Sequence, residues 1–211
     1  MSILEPRSAL VSWLLFASLL GGCSPIPTQQ TPAPSLFTLK PELADEISTA
    51  TGDAAADAAA VIVVAPPEAR AGFDGPRMAY VRRPFEIQYF ARHQWAEPPA
   101  RMLAPQIELA LERTGRFRPV ASGRGVLAPL RIETEIVALQ QEFDVSPSRL
   151  RFRLRAQLLD PIAGRVIATT ELEEIEPSDS EDAYGGVVAA NRAVARVLER
   201  LAVWCAEAGL E

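Results

Sequence analysis

Residues 149–158 read RLRFRLRAQL, a strict alternation of basic or polar residues with apolar ones. Successive side chains of a β-strand point to opposite faces, so this period of two predicts a strand with one apolar and one basic face. A strand of this kind is half-buried and typical of an antiparallel sheet. Its predicted core face carries Leu150, Phe152, Leu154, Ala156 and Leu158, and its basic face carries Arg149, Arg151, Arg153 and Arg155.

The segments on either side predict the neighbouring strands. Residues 130–136 alternate in the same way, residues 166–175 form a third strand, and Pro161 with Gly164 marks the turn between the last two. A three-stranded meander is therefore expected. Its arginines are predicted to form cross-strand ion pairs on a solvated face with four glutamates: Glu133, Glu135, Glu171 and Glu173. The alternative is a basic stripe that binds anionic lipid headgroups or an acidic partner.

Two amphipathic helices are predicted to cover the apolar face of this sheet. For the first helix we expect a start near Ala104 with Pro105 in its first turn, after a separate turn at Pro98-Pro99, because proline disrupts a helix interior. The second is a long C-terminal helix that follows the acidic segment 176–182 and buries Cys205. The apolar positions at helical spacing are Leu103, Ile107, Ala110 and Leu111 in the first helix, and Val187, Ala190, Val194, Val197, Leu198, Leu201, Trp204 and Cys205 in the second.

Further short strands are predicted along the chain. They cover residues 36–40, 61–65, 78–82, 85–90 and 117–121. The expected fold is an α/β two-layer sandwich, in which a mostly antiparallel mixed sheet is covered by about two helices, the longer one at the C-terminus.

The N-terminal segment has the features of an export signal. An uncharged apolar run follows Arg7 and breaks at Gly21-Gly22, so it is too short to span a membrane comfortably. Leu20-Gly21-Gly22-Cys23 looks like a bacterial lipobox, in which Leu20, Gly21 and Gly22 are recognised by the signal peptidase and the cysteine receives the lipid. We predict a signal peptide at 1–22 and a lipidated Cys23. The alternative is an ordinary secretory signal with an incidental cysteine.

The predicted organisation of the chain follows from this assignment. Residues 23–60 form a lipidated tether and an Ala/Pro-rich linker with a short strand at 36–40, and residues 61–211 form the α/β domain. The residue after Cys23 is Ser24 and not the aspartate that commonly retains lipoproteins in the inner membrane, which favours the outer membrane. Several acyl chains hold a protein on a bilayer essentially permanently, so the mature chain is expected to be anchored without spanning.

Composition excludes several classes of function. A net charge of -6 argues against nucleic-acid binding, which needs a concentrated positive field. One histidine and one remaining thiol cannot form an ordinary zinc or iron site, and the acidic segment 179–182 lacks calcium-loop spacing. The sequence contains no G-x-S-x-G motif that would supply a serine nucleophile for His93 as base. We therefore expect no metal, no cofactor and no enzymatic activity; a hydrolase that depends on His93 is the open alternative.

A family resemblance rests on loose aromatic motifs spread over most of the mature chain. With the lipobox in view, these motifs resemble the ABC-type transport auxiliary lipoproteins, the PqiC-like family. The opening strand at Phe37-Thr38-Leu39, the aromatic signature before the first helix and the late hairpin at 160–166 carry the likeness. The aromatic signature comprises Tyr80, Tyr89 and Trp95, and the link after the helix is Gly115-Arg116-Phe117. Pro105 and the Ala-rich loop depart from the pattern.

The resemblance implies a protein of the bacterial envelope that faces the periplasm. Such a protein is anchored in the outer membrane and acts in phospholipid transport with ABC transporter subunits and a bridging MCE-domain protein, and it can form a homo-oligomer. We expect the contact with the partner to involve Tyr80, Tyr89 and Trp95; the alternative is that these aromatics build the core. A structural envelope lipoprotein that organises a different assembly is the second functional hypothesis.

Overall fold

A computed structural model describes residues 33–49, 59–121 and 128–209 of the 211-residue chain. The predicted signal peptide with its Leu20-Gly21-Gly22-Cys23 motif and most of the Ala-rich loop lie outside the described residues. Within them there are nine strands and two helices: β1 (Ser35–Phe37), β2 (Ala60–Val64), β3 (Glu68–Ala69), β4 (Arg77–Arg83), β5 (Glu86–Trp95), α1 (Pro99–Glu112), β6 (Phe117–Ala121), β7 (Leu130–Glu142), β8 (Arg149–Asp160), β9 (Arg165–Pro177) and α2 (Ala183–Ala208).

Strand β7 is the centre of a single mixed sheet. On one side it pairs antiparallel with β8, which pairs antiparallel with β9. On the other side it pairs in parallel with β2, β3 and β4, one after another along its length. Strand β6 extends the sheet from β2, and β5 followed by β1 extends it from β4. The long ladders are antiparallel and the parallel ones are short, as expected for the predicted mixed sheet.

The meander is confirmed, and the alternation in β8 sorts its side chains as predicted. Phe152, Leu154 and Leu158 have no exposed surface, whereas the intervening arginines are partly exposed. The β8–β9 turn is held by Asp160, whose Oδ1 accepts hydrogen bonds from the backbone N–H of Ile162 (3.0 Å) and Ala163 (2.9 Å). Gly164 follows with φ of 65°, a conformation that glycine adopts without a steric penalty.

A bulge in β7 changes which of its residues face the arginines. Glu135 lies opposite Arg155, but the register shifts between Ile136 and Ala138, so that Gln140 lies opposite Arg151 and Glu142 opposite Arg149. Odd-numbered side chains therefore share the charged face before the bulge and even-numbered ones after it. The shift brings Glu142 onto the charged face and turns Gln141 into the core.

Three of the four expected acidic partners are confirmed, and one expectation was wrong. Glu135, Glu171 and Glu173 form ion pairs with the β8 arginines. Glu133 instead contacts Arg131 on its own strand, because the register places it opposite Gln157. The missing partner is Glu142, which the alternation of residues 130–136 did not identify.

Both helices lie on the apolar face of the sheet. Helix α2 contacts β8 and β9, and α1 contacts β2, β6 and α2. The side chain of Asp182 caps α2 by accepting a hydrogen bond from the backbone N–H of Gly185 (2.8 Å). Cys205 is buried, as predicted, and Arg196 and Arg200 of α2 form ion pairs with Glu174 of β9. The long C-terminal helix therefore covers the meander, as predicted.

The predicted start of α1 was too late. The helix begins at Pro99 and includes Pro105 in its interior. Pro99 at the first position removes only an N–H that would have no partner within the helix. Pro105 removes the hydrogen bond to the carbonyl of Arg101, but both residues are exposed, so water can satisfy that carbonyl. The predicted core face of Leu103, Ile107, Ala110 and Leu111 is buried.

The packed domain also includes residues before 61. β1 lies at one edge of the sheet as the predicted short strand, parallel to the end of β5. Beyond it Leu39, Leu43 and Ile47 are buried in the same core as the helices. Domain packing therefore begins before the predicted boundary at residue 61, because these apolar residues find a surface that exists only after the sheet and helices have assembled.

Candidate partner-contact surface

The three aromatics predicted to form one contact surface occupy three different environments. Trp95 is 3% exposed and belongs to the core, with its backbone N–H donating to the carbonyl of Pro76 (2.7 Å). This burial corresponds to the alternative for Trp95, in which the side chain builds the core. Tyr80 and Tyr89 are half-buried and retain exposed surface.

Tyr89 ties a loop to the sheet. Its hydroxyl donates to the carbonyl of Gly72 (3.1 Å), and the guanidinium of Arg77 lies 3.8 Å from the centre of its ring. Gly72 has φ of 100°, and a Cβ there would meet the tyrosine hydroxyl at 3.4 Å, so glycine is favoured mainly by the backbone conformation. Tyr89 thus binds the loop at Gly72 through its hydroxyl and has an arginine on one face of its ring.

Tyr80 belongs to a cluster of rings at the end of the sheet. Its ring centre lies 4.7 Å from that of Phe90 and 5.9 Å from that of Phe143, the latter in an edge-to-face arrangement. Between Arg77 and Ala79 of β4 the partner register in β5 moves from Gln94 to Tyr89, an irregularity that contains Phe90 and its neighbours. Arg82 lies over the rings of Tyr80 (5.5 Å) and Phe143 (5.9 Å).

His93 continues this cluster towards α2. Its ring stacks on Phe37 at 5.9 Å and meets Phe90 edge-to-face at 6.0 Å, while Phe37 lies 6.3 Å from Tyr184 at the start of α2. We call this chain of rings the aromatic surface: Tyr80, Phe90, Phe143, His93, Phe37 and Tyr184. Phe90 and His93 lie in the irregular part of β5, so a period-two pattern could not assign their faces; only the density of aromatics between residues 80 and 95 was a sequence signal.

A groove of about 720 Å³ adjoins the aromatic surface. It lies between the segment after β1 and the exposed side of α2, and its lining includes Leu36, Phe37, Tyr184 and Val188. Asn191 bridges the two walls: its Oδ1 accepts from the backbone N–H of Lys40 (2.6 Å), and its Nδ2 donates to the carbonyl of Thr38 (3.3 Å). The groove therefore has an apolar end beside the rings and a polar end with satisfied hydrogen bonds.

The charged face of the meander is a closed set of ion pairs. Glu142 is 8% exposed and accepts from Nε of Arg149 (2.7 Å) and Nε of Arg151 (2.6 Å). Burial alone would raise the pKa of Glu142, but the hydrogen bonds from Arg151 and Arg149 hold that pKa below its usual range. Glu173 is held in the same way: burial opposes ionisation, and Arg151 and Arg153 lower its pKa. The arginines of β8 thus have carboxylate partners within the sheet, as the ion-pair hypothesis predicted.

The described residues contain no metal-binding cluster. No group of three or more His, Cys, Asp or Glu side chains in 33–49, 59–121 and 128–209 is arranged to hold a metal ion. The acidic segment 179–182 caps α2. Hydrogen bonds from the N–H of Gly185 and, to a smaller extent, from the Ser180 hydroxyl keep the pKa of Asp182 low.

Burial raises the pKa of the Cys205 thiol, which makes it a poor nucleophile. Among the described residues, neither helix is long and apolar enough to cross a bilayer.

These observations define the class of the protein: a two-layer α/β domain whose candidate site is an aromatic surface beside a groove. The family can then be named. Residues 42–202 match the family model described as the ABC-type transport auxiliary lipoprotein component, and the chain belongs to that family. The expected membership is confirmed, and it indicates a lipid-anchored protein of the bacterial envelope that is auxiliary to ABC-type transport.

Two solved structures have the same fold. A protein from Xanthomonas campestris, of the family DUF330, is 24% identical with a TM-score of 0.65, and the match covers 84% of this chain and 95% of that one. An uncharacterized protein is 11% identical with a TM-score of 0.61, covering 81% and 97%. At these identities the likeness concerns the fold alone. Among curated proteins no match was found.

Proposed function

We propose that the protein is a periplasmic auxiliary subunit of an ABC/MCE system for intermembrane phospholipid transport, anchored in the outer membrane through Cys23. The observation that carries this proposal is the family match, which spans 42–202 and names ABC-type transport. The Leu20-Gly21-Gly22-Cys23 motif supports the anchor, and Ser24 supports the outer membrane. The protein acts by docking to the MCE-domain partner and the transporter subunits, without enzymatic activity of its own.

The docking surface in this proposal is the exposed part of the aromatic surface together with Tyr89. Aromatic rings that already lie against arginines provide large contact area with little loss of side-chain entropy. Anchoring raises the local concentration of the domain, so a modest interface is sufficient. Self-association through exposed sheet edges is part of the same proposal, since β6 and β9 each have one edge without a strand partner among the described residues.

The test is purification of the tagged full-length protein from detergent-solubilised membranes of its own host, followed by mass spectrometry. We expect an MCE-domain protein and ABC subunits to co-purify, and less of both with Cys23→Ala. Recovery of a different envelope complex would instead support a structural lipoprotein and contradict the transport role.

Two further variants address the docking surface and the hydrolase alternative. Tyr80→Ala is expected to reduce recovery of the partner, whereas Arg165→Ala, an exposed change at the opposite end of the sheet, is expected not to.

The hydrolase alternative is tested with His93→Ala. A lipid-hydrolase activity that is present in the unmodified protein and lost in this variant would contradict the non-enzymatic role.

A further inference from the structure

The β4–β5 hairpin ends in an exposed aromatic in an unfavourable backbone conformation. Arg83 pairs with Glu86, which leaves Pro84 and Phe85 as the two central residues of the turn. Phe85 has φ of 68°, and its side chain is fully exposed. Proline suits the first central position of such a turn, but the second favours glycine or asparagine. A phenylalanine here weakens the fold and gains no packing within the domain.

The surroundings of Phe85 combine apolar and basic groups. Pro84 is exposed, and Ile87 two residues further on is 45% exposed. Arg83 is held by Glu86 through its Nε at 2.8 Å. Arg82 forms no ion pair with any residue that the structure describes, and its guanidinium lies over the Tyr80 and Phe143 rings at 5.5 and 5.9 Å. An aromatic ring flanked by arginines is the composition that suits the headgroup level of a bilayer, where rings partition and guanidinium groups bind phosphates.

The β8–β9 turn, at the opposite end of the sheet, provides an internal contrast. Near the β4–β5 tip, Val81 lies opposite Glu142 at the end of β7. Near the β8–β9 tip, Leu159 lies opposite Arg131 at the beginning of β7. The two tips are therefore separated by roughly eleven residues of strand, about 36 Å. The β8–β9 tip has Asp160 and Gly164 at the positions that favour them. It also has an exposed apolar residue, Ile162, at 73%.

The direction of β1 favours the β4–β5 tip as the one nearer to the proposed anchor. β1 runs parallel to β5, with Ser35 opposite His93. β5 starts at the Phe85 tip, so the chain that leads into β1 also arrives from the direction of this tip. Ser35 follows Cys23 by twelve positions, a contour length of about 40 Å. The stretch of β5 between the tip and His93 is at most about 26 Å long. A lipid on Cys23 can therefore lie at the level of Phe85.

We propose that the β4–β5 tip is a second membrane contact, in which Phe85 enters the headgroup region of the bilayer that holds Cys23 and Arg82 binds lipid phosphate. This inference rests on the anchor proposed above. A single protruding ring offers too little area for a stable protein dimer. It is sufficient for a bilayer, because the anchor supplies the local concentration and the tip only has to orient the domain.

The test compares Phe85→Trp with Ile162→Trp in the full mature protein, reconstituted into vesicles of phosphatidylethanolamine and phosphatidylglycerol. The two native tryptophans of the described residues are a common background, and Trp95 is buried. We expect brominated phospholipids to quench the emission added at position 85 and to shift its maximum to the blue. The emission added at position 162 is expected to remain that of an indole in water.

Two further measurements separate the possible failures. The intact mass of the purified protein reports whether Cys23 is acylated; an unmodified mass contradicts the anchor of the proposed function and not the tip, which is then tested by adding the same vesicles to the same variants. Equal, water-like emission at positions 85 and 162 in protein bound to vesicles overturns the membrane contact. So does a blue shift at position 85 that appears only on addition of a protein partner.

The stability of the Phe85→Gly variant distinguishes a membrane contact from a role of the Phe85 ring in supporting the fold. Phe85→Gly is expected to leave the urea midpoint unchanged or to raise it, because glycine adopts the turn conformation without strain. A lowered midpoint for Phe85→Gly would show that the ring supports the fold and would overturn the inference.

Discussion

The two faces of β8 contain residues of the same strand but are stabilised in different ways. On one face Phe152, Leu154 and Leu158 are fully buried under α2. On the other, four arginines alternate with carboxylates from β7 and β9, at 2.6 to 3.5 Å. Burial of apolar area gives the first face the larger share of the free energy of folding. Ion pairs at a partly exposed surface add less, and their value depends on how far water is excluded.

The largest effect is expected on the buried face. Phe152→Ala removes a fully buried ring from the centre of the core and is expected to lower the free energy of unfolding by about 3–5 kcal/mol. Urea denaturation followed by circular dichroism measures this change. Phe152→Leu is the matched control, since it keeps most of the apolar volume and is expected to cost clearly less. Equal effects of the two variants would contradict the dominance of packing at this site.

An intermediate effect is expected at Glu142, the most buried carboxylate of the charged face. Glu142→Gln keeps the shape but removes the charge that binds Arg149 and Arg151, and it is expected to cost about 1–3 kcal/mol at neutral pH. Glu133→Gln is the control, because among the described residues Glu133 pairs with Arg131 on its own strand and with no arginine of β8. A cost at Glu133 as large as that at Glu142 would show that burial does not distinguish the two.

The effect of Glu142→Gln should also depend on pH. The pKa of Glu142 is lowered in the folded state, so its stabilisation is complete above the unfolded pKa of about 4.3 and is lost as pH falls through the lower folded value. Denaturation midpoints of both proteins between neutral and acidic pH are expected to converge on acidification. A difference that stays constant down to the lowest pH would contradict the ion-pair explanation.

The smallest effect is expected at the exposed end of the arginine row. Arg155 contacts Glu171 at 3.1 Å and Glu135 at 3.5 Å, with a large part of its side chain in water. Arg155→Gln is expected to cost less than about 1 kcal/mol and to lose even that effect in high salt. Thermal denaturation at low and high ionic strength tests this expectation. A salt-independent loss would indicate that the side chain packs rather than pairs.

The candidate site was less predictable than the fold. Tyr80, Tyr89 and Trp95 stand out in the sequence because aromatics are dense between residues 80 and 95, but their separation into a surface ring, a loop tie and a core residue follows from the irregular pairing of β4 with β5. Phe143 and Tyr184 join the aromatic surface from distant parts of the chain. No local pattern connects them, because only the folded sheet brings them together.

The helix and strand patterns show the same limit. Alternation in residues 149–158 was sufficient to assign the faces of β8, because a strand has a period of two and one face must be buried. The spacing of Leu103, Ile107 and Leu111 was likewise sufficient to identify α1. Its start was not predictable, because a proline is tolerated at Pro105 only where the carbonyl it leaves unbonded faces water, and exposure is a property of the assembled domain.

Periodicity along the chain thus determined the class of fold, the meander and its covering helix, since each depends on the contrast between apolar and polar positions within one segment. The assembled structure decided three other features: the bulge in β7 that gives Arg149 and Arg151 their partner Glu142, the packing of Leu39, Leu43 and Ile47, and the aromatic surface. These depend on contacts between residues far apart in sequence. Their energies exist only once the chain has closed the sheet, so no window of neighbouring residues contains them.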